Sequence, residues 1–200
     1  MLEDILIVLA GYLIGSVSTA VIVGRLMGTA DPRSEGSRNP GATNMLRLGG
    51  KKAGALTLIG DMLKGVVAVL LARVLDASVT VQAATAVAAF LGHLYPLYFG
   101  FKGGKGVATA LGVMLGLCWP AGLATVLTWL VVASLFRISS LAALVAVALA
   151  PAYFWWLRPE PSFLIALIGM AIMLYWRHRE NIRNLIAGTE GKIGLGSEEE

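Results

Sequence analysis

The chain has 200 residues, of which 57% are hydrophobic and only 14% charged, and its mean hydropathy is +0.77. Soluble domains are about half apolar and about a quarter charged, so this composition excludes a soluble protein and predicts an all-α integral membrane protein in a phospholipid bilayer. A net charge of +4 would suggest nucleic acid binding in a soluble chain, but basic residues of membrane proteins first report orientation, and we expect no nucleic acid partner.

The few metal-binding side chains argue against a metal site. Cys118 is the only cysteine, which excludes an internal disulfide and a multi-cysteine site, and two histidines, His93 and His178, are too few for an all-histidine zinc site. We therefore expect no metal and no cofactor. The apolar stretches leave no room for a separate soluble domain, so residues 1–200 are predicted to form a single membrane-embedded domain.

Apolar stretches predict the membrane-spanning helices at residues 5–27, 53–75, 79–99, 141–157 and 162–176. One further block, residues 106–136, would be about 46 Å long as a single helix, well beyond a hydrocarbon core of about 30 Å. Because Trp119-Pro120 interrupts this block near its middle, we predict two short, tilted helices there.

The basic residues support the same division. With two helices in block 106–136, 14 of the 16 basic residues lie at or near one side, and only Arg73 and Arg158 lie on the other; with one helix the split falls to ten against six. Because basic residues favour the cytoplasmic side, the sequence predicts seven transmembrane helices, with the N-terminus outside and the C-terminus in the cytoplasm. The polar residues 33–52, 100–106, 137–140 and 177–192 then all face the cytoplasm.

Two of these polar loops have a composition typical of anion binding. The first reads Ser37-Arg38-Asn39-Pro40-Gly41-Ala42-Thr43-Asn44 and continues to Arg47. Its short hydrogen-bonding side chains suit an anion cradle, although a solvated connector with a helix cap would have a similar composition. The second reads Gly100-Phe101-Lys102-Gly103-Gly104-Lys105-Gly106 before Thr109 at a helix start. Glycines permit close backbone approach, a helix N-terminus favours negative charge, and a lysine supplies a cation, so this loop predicts a phosphate site.

The glycine loop matches neither common nucleotide-binding pattern. In a Walker A alignment, Phe99 stands where the first glycine is required, and Gly106 stands where Ser or Thr is required. In the dinucleotide fingerprint, Thr109 stands where the third glycine is required. These mismatches argue against ATP and NAD.

Ionisable residues inside or beside the spans have structural and functional interpretations. His178 shares a helical face with Asn181 among basic residues and is a site candidate, whereas a structural role is favoured for His93. Asp61 and Lys64, three residues apart in the second span, are most simply an internal ion pair, with substrate contact as the alternative.

Three runs of the chain, residues 36–44, 92–109 and 178–192, resemble the three signature motifs of the bacterial acyl-phosphate glycerol-3-phosphate acyltransferases, the PlsY family. The runs occur in family order, and the resemblance extends to Asp61, Lys64 and the turn from Arg137 to Ser140. Ala143 departs from the pattern, because many family members are expected to have a second serine there; Ser140 is left as the phosphate contact.

The resemblance implies a monomeric enzyme of the bacterial cytoplasmic (inner) membrane whose active site faces the cytoplasm. It would transfer a fatty acyl group from acyl phosphate to the sn-1 hydroxyl of glycerol 3-phosphate, giving 1-acyl-glycerol 3-phosphate (lysophosphatidic acid) and phosphate, the first step of phospholipid synthesis. A small anion transporter or a non-catalytic scaffold are the alternatives from other functional classes.

The loops and the resemblance together provide the candidate site residues. The expected catalytic residues are Lys105, Ser37, Asn39, His178 and Asn181. The expected substrate and phosphate contacts are Arg38, Thr43, Asn44, Arg47, Lys102, Gly103, Gly104, Gly106, Thr109, Ser140 and His93. The His-x4-Asp dyad of common glycerolipid acyltransferases is absent, since Tyr98 follows His93 and Arg183 follows His178 at that spacing. The family's proposed alternative, in which a substrate phosphate takes the hydroxyl proton, needs no such dyad.

Overall fold

The computed structural model describes residues 1–193, and the regular elements in that range are all helical. The helices, named here in chain order, are α1 Leu2–Gly15, α2 Thr19–Met27, α3 Ala42–Val74, α4 Val79–Leu94, α5 Val107–Leu117, α6 Trp119–Phe136, α7 Ser139–Leu157, α8 Pro161–Arg177 and α9 Arg179–Ala187. A single 3-10 turn, Leu97–Phe99, precedes the glycine loop. The predicted all-α class is therefore confirmed for the described residues.

Length and apolar composition identify four helical stretches that could each cross a membrane: α1 with α2 together, α3, α6 and α7. A fifth is added only when α8 is counted with α9, which is bent from it by 60°. Helices α4 and α5, with 16 and 11 residues, are shorter than any of these four stretches. The described part of the chain thus has four or five candidate spans by these criteria.

The block from residue 106 to residue 136 forms two helices, as predicted. The chain is extended at Cys118 (φ −153°, ψ 99°). Pro120 lies in the first turn of α6, where a backbone N–H would have no partner within the helix, so the lack of an N–H in proline costs no hydrogen bond. Arg73 and Arg158 donate to carbonyl oxygens of the last two residues of α5, at 3.0 and 3.2 Å. These arginines therefore satisfy acceptors that the early end of α5 leaves without helical partners.

The first predicted span differs from the structure, because it is broken between α1 and α2. Ser16 Oγ donates to the Tyr12 carbonyl oxygen at 2.8 Å, and Ser18 has an extended backbone. The carbonyl oxygen of Val17, which lies between the two helices, accepts a hydrogen bond from Lys64 Nζ at 2.7 Å. The second span also begins earlier than predicted, at the start of α3, which is kinked where Gly50 has a φ of 73°.

Glycines let the helix backbones touch at two crossings. A Cβ on Gly112 would lie 2.0 Å from a carbonyl oxygen of α3, and a Cβ on Gly65 would lie 2.6 Å from a carbonyl oxygen of α5. The crossing of α1 and α4 has the same reciprocal arrangement, built on Gly15 and Gly92, at 2.1 and 2.3 Å. Such close approach is typical of helix pairs in membranes, where the hydrophobic effect does not drive helix association and small residues allow close van der Waals packing.

The largest buried side chains lie between α4, α5, α7 and α8. Phe90, Met114, Phe154, Phe163 and Leu174 belong to this core, and the rings of Phe154 and Phe163 meet edge to face at 6.3 Å between centroids. In contrast, only four of the 18 residues of α6 are buried. The core therefore fixes α5 and α8, whose ends carry the polar loops described below.

The α3–α5 crossing provides a test of the fold. Gly112→Ala places a methyl group against a backbone carbonyl, and such overpacking costs about 1–3 kcal/mol. We expect the melting temperature of the detergent-solubilised protein to fall by about 5 °C. Gly169→Ala in α8 is the matched control, since a Cβ there meets no atom within 4 Å. Equal melting temperatures for the two variants would contradict the close crossing.

Candidate active site

Four polar side chains from four separate segments form a continuous network at one end of the bundle. Lys105 Nζ, before α5, donates to Asn181 Oδ1 of α9. Asn181 Nδ2 in turn donates to Glu190 Oε1 at 2.6 Å, and Ser140 Oγ, at the start of α7, donates to the same oxygen at 2.6 Å. The fold therefore gathers side chains whose hydrogen-bonded partners lie up to 76 residues apart in the sequence.

The glycine loop before α5 is packed tightly against the end of α4. The Gly104 N–H donates to the His93 carbonyl oxygen at 3.2 Å, and a Cβ on Gly103 would lie only 2.1 Å from that oxygen. Gly106, with a φ of 91°, turns the chain into α5, a conformation that favours glycine. No side chain larger than hydrogen fits at Gly103 without moving this backbone.

Charges of both signs surround Lys105. Burial lowers the pKa of Lys105, while the carboxylates of Glu190 and Glu180 have the opposite effect. Arg177 and Arg47 are close enough to lower this pKa further. Lys105, Arg177 and Arg47 are the cations of this group, and an anion bound among them would relieve their mutual repulsion.

His178 follows the last residue of α8 and is only 3% exposed. Its Nδ1 lies 2.8 Å from the Leu174 carbonyl oxygen, and because a carbonyl can only accept, Nδ1 carries the hydrogen. Burial lowers the pKa of His178 to about 4, so the ring is neutral at pH 7. Nε2 is then a hydrogen-bond acceptor, suited to a hydroxyl group.

The side chain of Asn44 organises the first loop by forming hydrogen bonds with the backbone of that loop. This side chain is 1% exposed; its Oδ1 accepts from the Ser37 N–H at 2.9 Å, and its Nδ2 donates to the carbonyl oxygens of Pro32 and Glu35 at 3.1 and 3.0 Å. Thr43 Oγ1 lies 3.2 Å from Ser139 Oγ at the start of α7. The first loop is thus attached to the same end of the bundle as the polar network.

The remaining sequence candidates fall into three groups by position. Ser37, Arg38, Arg47 and Lys102 are exposed at the surface of this end, and the Arg47 guanidinium lies beside Gly191. Asn39 is half-buried, with its amide next to Gly41. His93 and Thr109 are buried near the glycine loop, and neither contacts the Lys105 network directly.

Two residues of this region were given no site role from the sequence. Glu190 lies within the third motif run. The turn that follows α9 brings its carboxylate to Ser140 and Asn181, and it accepts a hydrogen bond from each. Arg177 was counted only as an orientation charge, yet its Nη2 donates to the carbonyl oxygens of Gly103 and Gly104 at 3.1 and 3.0 Å. The one available signal for Arg177 was its position directly before His178.

No cluster of three or more His, Cys, Asp or Glu side chains that could hold a metal ion occurs within residues 1–193. The groups that do converge are a lysine, an amide, a hydroxyl, the carboxylate that accepts from the last two, a neutral imidazole and a glycine-rich backbone. These groups can bind phosphate oxygens and a hydroxyl, and they can orient two such ligands toward each other.

Comparison with known proteins gives consistent matches over nearly the whole chain. The family model described as "Glycerol-3-phosphate acyltransferase" matches residues 5–188. The glycerol-3-phosphate acyltransferase of Methylococcus capsulatus is 55% identical over 183 residues, covering 92% of each chain, and that of Thioalkalivibrio sulfidiphilus is 57% identical over 188 residues, covering 94% of this chain and 93% of the other.

Two solved structures share the fold. Both are of PlsY, an integral membrane glycerol 3-phosphate acyltransferase, one in its glycerol 3-phosphate form and one in its lysophosphatidic acid form. The first is 38% identical with a TM-score of 0.90, and the second is 36% identical with a TM-score of 0.88; each match covers 96% of both chains. At this identity and coverage the similarity concerns the whole helical bundle.

Proposed function

The chain belongs to the glycerol-3-phosphate acyltransferase family, and from this premise we propose that it transfers a fatty acyl group from acyl phosphate to the sn-1 hydroxyl of glycerol 3-phosphate. The products are 1-acyl-glycerol 3-phosphate and inorganic phosphate. The protein is an acyltransferase and not an anion transporter, since its relatives are named for that activity and its solved neighbours carry glycerol 3-phosphate or lysophosphatidic acid.

The observation that carries the proposal is the network of Lys105, Asn181, Ser140 and Glu190 beside the start of α5. Both proposed substrates bear a phosphate, and a cationic, half-buried lysine at a glycine-rich helix start suits a phosphate oxygen. Ser140 and Asn181 add hydrogen-bonding groups to the same network. We assign these residues, with His178, to holding the two phosphate-bearing substrates.

The chemistry requires little from a protein base. Acyl phosphate is a mixed anhydride, so phosphate is a good leaving group near neutral pH. The hydroxyl oxygen of glycerol 3-phosphate attacks the acyl carbon, the bond from that carbon to the phosphate oxygen breaks, and the hydroxyl proton passes to a phosphate oxygen. The protein then lowers the barrier by positioning two anions and by stabilising the negative charge on the acyl oxygen.

The protein groups suit these two tasks, which are positioning the substrates and stabilising negative charge. Neutral His178 can accept a hydrogen bond from the attacking hydroxyl through Nε2 and so orient it. Lys105 remains the donor for a phosphate oxygen whose charge changes as the bond to carbon breaks. Glu190, the carboxylate of the network, already accepts hydrogen bonds from Ser140 and Asn181, so it serves to hold these two side chains.

The same residues favour a seven-span topology. If α1 and α2 together form one span and α3 to α8 form one each, the termini lie on opposite sides, and we propose that the N-terminus is outside and the C-terminus in the cytoplasm of a bacterial inner membrane. The residues that follow α2, α4, α6 and α8 would then share the cytoplasmic side, in agreement with the convergence of Thr43, Lys105, Ser140 and Asn181 at one end. Because a single chain supplies this whole set, we propose a monomeric enzyme.

Donor choice is the first test. Purified protein with labelled glycerol 3-phosphate and palmitoyl phosphate should form labelled lysophosphatidic acid, whereas palmitoyl-CoA or palmitoyl-acyl carrier protein should give none. The physical reason is that the site lacks the His-x4-Asp dyad and a nucleotide-binding motif. Comparable turnover with the CoA ester would contradict the acyl-phosphate assignment.

Lys105 provides the second test. Lys105→Ala should lower kcat by about 100- to 1,000-fold, since removing one preorganised electrostatic donor costs roughly 3–4 kcal/mol. Lys52→Ala removes an equal charge from an exposed position of α3 that contacts none of the network residues, and we expect it to retain near wild-type activity. Equal losses in both variants would mean that only diffuse positive charge matters.

Topology is tested by cysteine labelling of intact cells. In a Cys118→Ala background, Ser34→Cys, in the loop before α3, should resist an impermeant thiol reagent because it faces the cytoplasm. Pro159→Cys, in the turn between α7 and α8, should be labelled from outside. The reverse pattern, or labelling at both positions, would overturn the proposed orientation.

A further inference from the structure

Arg177 makes an unusual contact for a residue at the end of a predicted span. It is the last residue of α8, and its Nη2 donates to two successive carbonyl oxygens of the glycine loop, those of Gly103 and Gly104. The guanidinium carbon also lies 5.9 Å from the centre of the Tyr95 ring, within the range of a cation–π interaction. Arg177 is therefore held on one side by an aromatic ring and on the other by the loop.

The peptide between Gly103 and Gly104 is fixed at both ends. Its carbonyl oxygen accepts from Arg177, and its N–H, the amide of Gly104, donates to the His93 carbonyl oxygen. A trans peptide points its C=O and N–H in opposite directions, so these two bonds define the orientation of the peptide plane. The loop has no freedom to rotate this unit without losing one of the bonds.

The next peptide joins Gly104 to Lys105, and Arg177 also determines its direction. Its carbonyl oxygen accepts from the same Nη2, so the Lys105 N–H is directed away from the arginine. Lys105 Nζ, on the same residue, reaches Asn181 in the polar network. The orientation of this peptide thus affects both the backbone donor and the side-chain cation of Lys105.

We propose that Arg177 is a positioning residue for acyl transfer: by holding the Gly103 and Gly104 carbonyl oxygens, it keeps the backbone N–H and the side chain of Lys105 directed at a substrate phosphate. This inference rests on the proposed function for the identity of the ligand. It also explains why a cation is needed here: without Arg177, two carbonyl dipoles would be free to turn toward the site and repel an anion.

The test compares Arg177→Met, Arg177→Lys and Arg179→Met with the wild-type enzyme. Methionine keeps an unbranched stem against Tyr95 but removes every donor, whereas lysine retains a cation. Arg179→Met is the matched control, because Arg179 is two residues away with the same charge, and it stacks on Trp176 and donates to the Trp176 carbonyl oxygen. Initial rates with each substrate varied in turn separate KM from kcat.

For Arg177→Met we expect the KM for one of the two phosphate-bearing substrates to rise about tenfold, and kcat to fall by less than it does in Lys105→Ala, because Lys105 is still present but is held less firmly. Arg177→Lys should recover most of this loss, and Arg179→Met should match wild type. A purely structural role would instead lower the melting temperature and kcat with both KM values unchanged, and that result would overturn the proposal. An equal rise of KM in Arg179→Met would also overturn it, since diffuse charge would then suffice.

A second measurement needs no turnover. Hydrogen–deuterium exchange of the peptide that covers residues 100–106 should be at least several-fold faster in Arg177→Met than in wild type or Arg179→Met, because the loop loses two hydrogen bonds. Unchanged exchange would refute the positioning role. If the wild-type protein transferred no acyl group, but its loop still exchanged more slowly than the loop of Arg177→Met, the proposed function would be wrong and the loop contact would be supported.

Discussion

The Asp61–Lys64 ion pair within α3 is the interaction on which the arrangement of the other helices depends. The two charged atoms lie 2.8 Å apart, and both side chains are almost completely buried. Removing either partner would leave an uncompensated charge inside a membrane protein, which is strongly destabilising. Lys64 also donates to the Val17 carbonyl oxygen, so the break between α1 and α2 must remain against α3. One pair thus fixes three helical segments.

The surroundings of this pair extend through His93 to the end of the bundle that carries the polar network. The imidazole Nδ1 lies 3.6 Å from the same Asp61 oxygen, and the opposite edge of the ring fills the space beside Gly104, where a Cβ would lie 2.3 Å from Nε2. The backbone of His93 accepts the Gly104 N–H as well. The glycine loop therefore packs against a histidine whose ring lies between the loop and a buried carboxylate, so the buried ion pair and the polar loop are in contact through one residue.

Local sequence signals predicted the local features, and contacts between distant segments account for what they missed. Trp119-Pro120 indicated the break between α5 and α6 because proline disrupts a continuing helix. The break at Val17 had no such signal: its neighbours are compatible with a helix, and its partner Lys64 lies 47 residues away. The motif resemblance grouped Lys105 with Asn181 without indicating their direct contact. Arg177 and Glu190 were missed because a charge at a helix end acquires a role only from its tertiary neighbours.

The reciprocal glycine crossings have a consequence for how such a chain can change over generations. Glycine is the smallest residue, so any replacement at Gly15, Gly65, Gly92 or Gly112 adds volume, and the atoms it meets are backbone carbonyls that cannot change rotamer. An exposed apolar position of α6 can exchange one hydrophobic side chain for another in either direction of size. These four glycine positions therefore permit fewer neutral replacements than the exposed apolar positions of α6.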